Sequence, residues 1–154
     1  MKEVLPDELD ELLNEAFEGG AQGRAGASSG AVELAIEALA EKFQISLPLD
    51  YASFLRKCNG INWEDVLLAH ILDPASDDPE LHTFSKHDLI SLNEHYRRIG
   101  LPKHYLIFGF DDFGIYVHNP QRDTYHLLET TDFSFLRTYE TFIELLDELI
   151  EGPV

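Results

Sequence analysis

Between residues 4 and 18 apolar side chains return every third or fourth position: Leu5, Leu9, Leu12, Leu13, Ala16 and Phe17. Asp7, Glu8, Asp10, Glu11 and Glu15 lie between them. That period draws one apolar stripe along an α-helix and turns the acids to water. Pro6 falls in the first turn, where a missing amide proton has no partner to lose, and the acids sit at the positive end of the helix dipole. The pattern then stops. "GGAQGRAGASSG", residues 19–30, has no apolar period and reads as a flexible linker. It lacks the glycine–lysine–Ser/Thr run of a phosphate-binding loop and follows a helix, not a strand.

From Ala31 the periods are those of one folded domain. "AVELAIEALAEKF" sets Val32, Ala35, Ile36, Leu39 and Phe43 on a helical stripe. In "LPLDYASFLRKCNG" (residues 47–60) Pro48 suits a first turn, and Tyr51, Phe54, Leu55 and Cys58 follow at i, i+3, i+4 and i+7. Arg56 and Lys57 occupy the last turn, and Asn59-Gly60 reads as a helix stop with a left-handed glycine. A lysine beside a thiol can activate it, but this stripe puts Cys58 in the core at the helix's negative end. It reads as a packing residue.

"INWEDVLLAHILDP" suggests one or two short strands, and "ASDDPE" is a loop by composition. "SKHDLISLNEHYRRIG" predicts a helix capped by Ser85, with Asp88 completing a capping box. Leu89, Leu92, Asn93 and Tyr96 form its inner stripe, and Gly100-Leu101-Pro102 ends it. Residues 104–128 give the clearest strand signal: "YLIFGF", "FGIYV" and "TYHLLE", separated by Asp111-Asp112 and "NPQRD". Pairing Phe110 with Phe113 and His118 with Thr124 makes one face of Leu106, Phe108, Phe110, Phe113, Ile115, Val117, Tyr125 and Leu127. The other face then carries Ile107, Gly109, Tyr116, His118 and His126. "RTYETFIELLDELIEG" closes the chain as a helix with Tyr139, Phe142, Ile143, Leu146 and Ile150 inside. The chain thus divides into an acidic amphipathic helix (residues 1–18), a linker (19–30) and one domain (31–151). The domain is of the α+β class, an antiparallel meander packed with N-terminal and C-terminal helices.

Charge sharpens the picture. Lysine and arginine number 11 against 29 aspartates and glutamates, a formal net charge of −18. Such a chain repels phosphate backbones and anionic lipid, so neither nucleic acid nor membrane is an expected partner. The same field draws a basic protein. No apolar run approaches the ~20 residues of a membrane helix, and the first residues lack a signal-peptide core, so the expectation is a cytoplasmic protein.

Chemistry-bearing motifs do not survive inspection. One cysteine builds neither a disulfide framework nor a Cys-rich zinc site. Of seven histidines, His82 and His87 stand five apart, while His118 and His126 lie diagonally across a predicted hairpin with no evident third ligand. "DPASDDPE" lacks the alternate acids and glycine of a calcium loop. G-x-S-x-G and H-E-x-x-H are absent. No catalytic residue, metal or cofactor is expected, and the chain reads as a non-enzyme.

The run "AIEALAEKFQISLPLDYASFLRKCNG" resembles the signature of the SUKH superfamily, the Smi/Knr-type group. It carries Leu47, Pro48, Asp50, Tyr51, Phe54, Leu55, Asn59 and Gly60. "SLNEHY", "YLIFGFDDFGIYVHN" and the closing helix are similar to the YrhA-type bacterial branch. The resemblance implies a bent antiparallel sheet with helices packed on it. It also implies a non-catalytic binding scaffold, in many bacterial members an immunity protein that neutralises a polymorphic or contact-dependent toxin, often a nuclease. Two other readings stand beside it: a regulatory or adaptor module, and a small-molecule or metal-binding domain using Tyr116, His118 and His126. For the first reading the candidate partner-binding residues are the loop acids and the lone tryptophan: Trp63, Glu64, Asp65, Asp77, Asp78, Asp111 and Asp112.

Overall fold

A computed structural model describes residues 6–151; Leu5 of the first stripe lies outside them. In chain order the elements are α1 (Pro6–Glu18), β1 (Gln22–Ala25), α2 (Ser29–Phe43), α3 (Leu49–Lys57), β2 (Cys58–Trp63) and β3 (Val66–Leu68). A 3-10 turn (Pro79–Leu81) precedes α4 (Leu89–Arg98), β4 (Leu106–Phe110), β5 (Gly114–Asn119), β6 (Thr124–Glu129), β7 (Phe135–Tyr139) and α5 (Phe142–Glu151). The seven strands form one open sheet in the order β1 to β7, each pair antiparallel. This is the expected α+β class.

An aromatic knot joins helices to sheet. The Tyr51 ring lies 5.2 Å from Phe54, 5.0 Å from Phe108 and 5.6 Å from Phe142, and Phe108 lies 5.8 Å from Tyr125. All five side chains are fully buried, each contributing on the order of 2 kcal/mol of hydrophobic stabilisation. Tyr51 keeps its polar end satisfied by donating to the Ala69 carbonyl at 2.6 Å. The tyrosine and phenylalanine of the signature are therefore core.

Helix α1 buries Leu9, Leu12, Leu13 and Ala16 and packs against α3 and α5, with Lys57 bonded to Asp10 at 2.9 Å. The segment expected to be a linker contains the edge strand β1, which pairs with β2. Two of its glycines, Gly23 and Gly26, serve close approach. A Cβ on Gly26 would stand 1.9 Å from the Arg56 carbonyl oxygen, so only glycine lets the chain lie against α3.

Three local expectations change. Helix α3 ends at Lys57, and Cys58 is already extended, so Asn59-Gly60 lies inside β2 instead of stopping a helix. The Asn59 side chain explains this. It donates to the Ile71 carbonyl at 3.0 Å and accepts from the Ile71 N–H at 2.8 Å, replacing a strand partner with an amide. Helix α4 is capped by Asp88, which accepts from Ser91 N–H at 2.9 Å, while Ser85 N–H donates to Asp88 at 2.7 Å. Tyr139 ends β7, and the last helix begins at Phe142.

The meander exists, in another register. Phe110 pairs with Ile115 and Asn119 with Thr124, with a bulge between Ile107 and Gly109. The hairpin needs a longer turn because the Asp111 carboxylate gathers the N–H groups of Phe113 (2.7 Å) and Gly114 (3.0 Å). Phe113 is consequently expelled from the expected interior face and is 68% exposed. His118 pairs with Tyr125 and Val117 with His126, so the two histidines stand on opposite faces of the sheet. Every residue of β5 is buried, so in–out alternation could not fix the register.

Candidate partner-binding surface

Strands β3 and β4 pair with Leu67 opposite Phe110. The turn before β3 (Glu64, Asp65) and the turn after β4 (Asp111 to Phe113) therefore emerge at the same end of the sheet. Glu64 takes a left-handed conformation at φ 48°, which tightens the first turn. The Asp65 and Asp112 side chains meet across the gap. Their shared hydrogen bond and the Asp65 charge hold the Asp112 carboxyl above its usual range, with Asp111 adding to the effect. Two carboxyl groups in contact at an exposed edge are relieved by an arriving cation.

Asp111 is the organiser. One oxygen builds the turn, and the other accepts the Tyr116 hydroxyl. Burial, and then that hydrogen bond, push the Tyr116 phenol far above its normal value, so it stays protonated and donating. Beside it Tyr139 donates to Glu148, which also takes Arg137. Acids thus continue from the turns towards α5, and the exposed Phe113 follows Asp111 and Asp112 in the turn. The sequence places Phe113 on the interior face, because it pairs Phe113 with Phe110; a four-residue turn over Asp111-Asp112-Phe113-Gly114 puts the ring at its tip instead.

The other expected contact residues divide. Trp63 is half-buried and packs on the core, covering its edge. Asp77 and Asp78 belong to a separate loop, 73–81, pinned to β1. Asp78 caps the 3-10 turn through Glu80 N–H at 3.0 Å and meets Arg24 at 3.4 Å. The structure brings together Glu64, Asp65, Asp111 and Asp112, and leaves Asp77 and Asp78 elsewhere.

The cysteine and the two sheet histidines are engaged within the fold. Cys58 is 1% exposed, burial pushes its thiol up to about 11, and its Sγ donates to the Gly60 carbonyl at 3.2 Å. His118 is held by Asp123 at 2.9 Å, and His126 lies between Thr124 and Thr138. Facing opposite ways, they cannot converge on one ion with Tyr116. Among the described residues no three metal-binding side chains come together, and no helix is long and apolar enough to cross a membrane.

Comparison with known proteins agrees with this fold. The crystal structure of a protein from Pseudomonas syringae pv. tomato superposes with a TM-score of 0.65 at 14% identity. The match covers 93% of this chain and 99% of that one, and at such identity it speaks to fold alone. No curated protein sequence matches the chain. The profile of the SMI1 / KNR4 family (SUKH-1) matches residues 30–148, from the start of α2 into α5 and including every signature residue named above. The chain belongs to the SMI1 / KNR4 family (SUKH-1).

Proposed function

We propose that this protein is a cytoplasmic immunity protein, a non-catalytic module that neutralises a cognate polymorphic or contact-dependent toxin by binding it directly. The observation that carries the reading is the contact of Asp65 with Asp112 beside the exposed Phe113. Repelling carboxyl groups around an aromatic ring suit an arginine- or lysine-lined cleft, such as that of a nuclease, where the ring fills a pocket and the acids meet cations. Family membership and the net charge of −18 support the same partner class.

Co-expression with the toxin domain of the neighbouring reading frame tests it. Cells survive with the wild-type protein. Survival is lost with Asp65→Lys and Asp112→Lys together, and is kept with Asp77→Asn. Death at the same rate with and without the wild-type protein removes that pairing.

A further inference from the structure

Strand β7 is the last of the sheet, and among the described residues no strand lies beyond it. One side of its backbone therefore offers amide and carbonyl groups to a chain extended alongside. Its residues before Tyr139 are exposed, with Phe135 at 60% and Leu136 at 46%. Sheet edges are ordinarily blunted by proline, lysine, a short strand, a bulge or a covering loop. The opposite edge, β1, is four residues long, and the loop 73–81 holds its Arg24 through Asp78 and Glu80. Strand β7 carries neither proline nor lysine. A bulge at Leu136 twists it, yet Arg137, Thr138 and Tyr139 keep an unbroken register on β6.

The strand also begins beside the acid edge. Gly114 opposes Glu129 and Leu128 opposes Phe135, so the 130–134 turn emerges at the same end of the sheet as Asp111 to Phe113. Neighbouring strands lie about 4.8 Å apart, which puts the start of β7 roughly 10 Å from the start of β5. A partner seated on the acid turns is within reach of β7.

Charge and apolarity together define the occupant. Over residues 129–151 seven aspartates and glutamates stand against one basic residue, Arg137, which Glu148 already holds. A second copy of this chain would set those acids against their equals, with a net charge of −18 on each side. A segment with lysine or arginine between apolar residues instead meets the acids with its cations, and Phe135 and Leu136 with its apolar side chains.

We propose that β7 takes up an extended, lysine- or arginine-bearing segment of the protein partner as an eighth strand, joined by main-chain hydrogen bonds. The proposal rests on the protein-binding reading above and names how the partner is held beside the acid turns.

The test is hydrogen exchange of the full chain, read amide by amide by NMR, with acetyl-Lys-Val-Lys-Val-Lys-Val-Lys-amide as the probe. Amides of β7 are expected to exchange at least about tenfold more slowly with the peptide bound, while those of β1 keep their rates. The acidic counterpart, acetyl-Glu-Val-Glu-Val-Glu-Val-Glu-amide, is expected to protect nothing. Leu136→Lys is expected to weaken the basic peptide about tenfold, whereas Leu34→Lys, the same change of charge at an exposed position of α2, leaves its affinity within about twofold. No binding, or unchanged β7 exchange at saturating peptide, overturns the proposal. Equal weakening by the two lysine variants overturns it too, because net charge alone would then explain the binding. Slower β7 exchange as the chain alone is concentrated, with a doubled mass in light scattering, overturns it in favour of a second copy. Cells kept alive by the chain while its β7 amides exchange freely in the toxin complex remove the strand and spare the immunity reading. Cells that die while the basic peptide still closes on β7 remove the immunity reading and keep the strand site.

Discussion

Gly60 and His70 are fitted to one another: a Cβ on Gly60 would lie 2.8 Å from the Cβ of His70 and 3.0 Å from its backbone nitrogen. Gly60→Ala adds that clash to a left-handed conformation whose strain alone is about 1–3 kcal/mol for a residue with a side chain. Urea unfolding of Gly60→Ala is expected to show a loss at least that large. A change within about 0.5 kcal/mol would mean the neighbours move aside freely.

Helix α1 is part of the folded unit. Leu9 is fully buried, and α1 leans on α3 and α5. Leu9→Ala is expected to lower the stability of the whole domain by about 2–5 kcal/mol in one cooperative transition. Separate melting of α1, with the midpoint of the remainder unchanged, would contradict this.

The buried histidines predict the pH response. Burial holds the proton affinities of His70, His118 and His126 below normal, while in the unfolded chain they titrate near 6.5. The unfolded state therefore binds protons first. Their contribution to stability is whole above about pH 6.5 and is lost as pH falls through the lower folded values. In 0.5 M salt, chosen to screen repulsion among the surface acids, the urea midpoint should fall between pH 7.5 and 5.5. His118→Gln should flatten the dependence, and a midpoint independent of pH would count against it.

Cys58 should resist alkylation. With its thiol raised to about 11 and 1% exposed, iodoacetamide at pH 8 should label it only as fast as the chain opens. Labelling of the native protein at the rate of a free thiol would place the sulfur outside the core.

The stripes of α2 to α5 were largely legible because each helix has one buried face and a period near 3.6; Ile36, expected inside on α2, is instead exposed, and Tyr139 belongs to β7 and not to α5. Tyr51, Phe54 and Leu55 sit where that period puts them. Strand pairing was less legible: β5 is buried on both faces, and the Asp111 turn, with its grip on two N–H groups, shifts the register. Edge strands hid for the opposite reason. In β7 every residue before Tyr139 is exposed, and β1 looked like a glycine linker because Gly26 supplies close approach, a role composition does not reveal. Of the proposed binding surface, the four turn acids could be read locally. Their meeting could not, because Asp65 and Asp112 are joined only through β3–β4 pairing.

The central claim is that the Asp65–Asp112 edge with Phe113 is where the partner binds. Its most direct measurement is the dissociation constant for the neighbouring toxin domain, compared between the wild-type protein and a Phe113→Ala, Asp112→Asn variant. Both positions are exposed, so the fold should persist, as circular dichroism can verify. The variant should bind at least about tenfold more weakly, with a slower, less salt-dependent association. An affinity and salt dependence equal to wild type would contradict the claim.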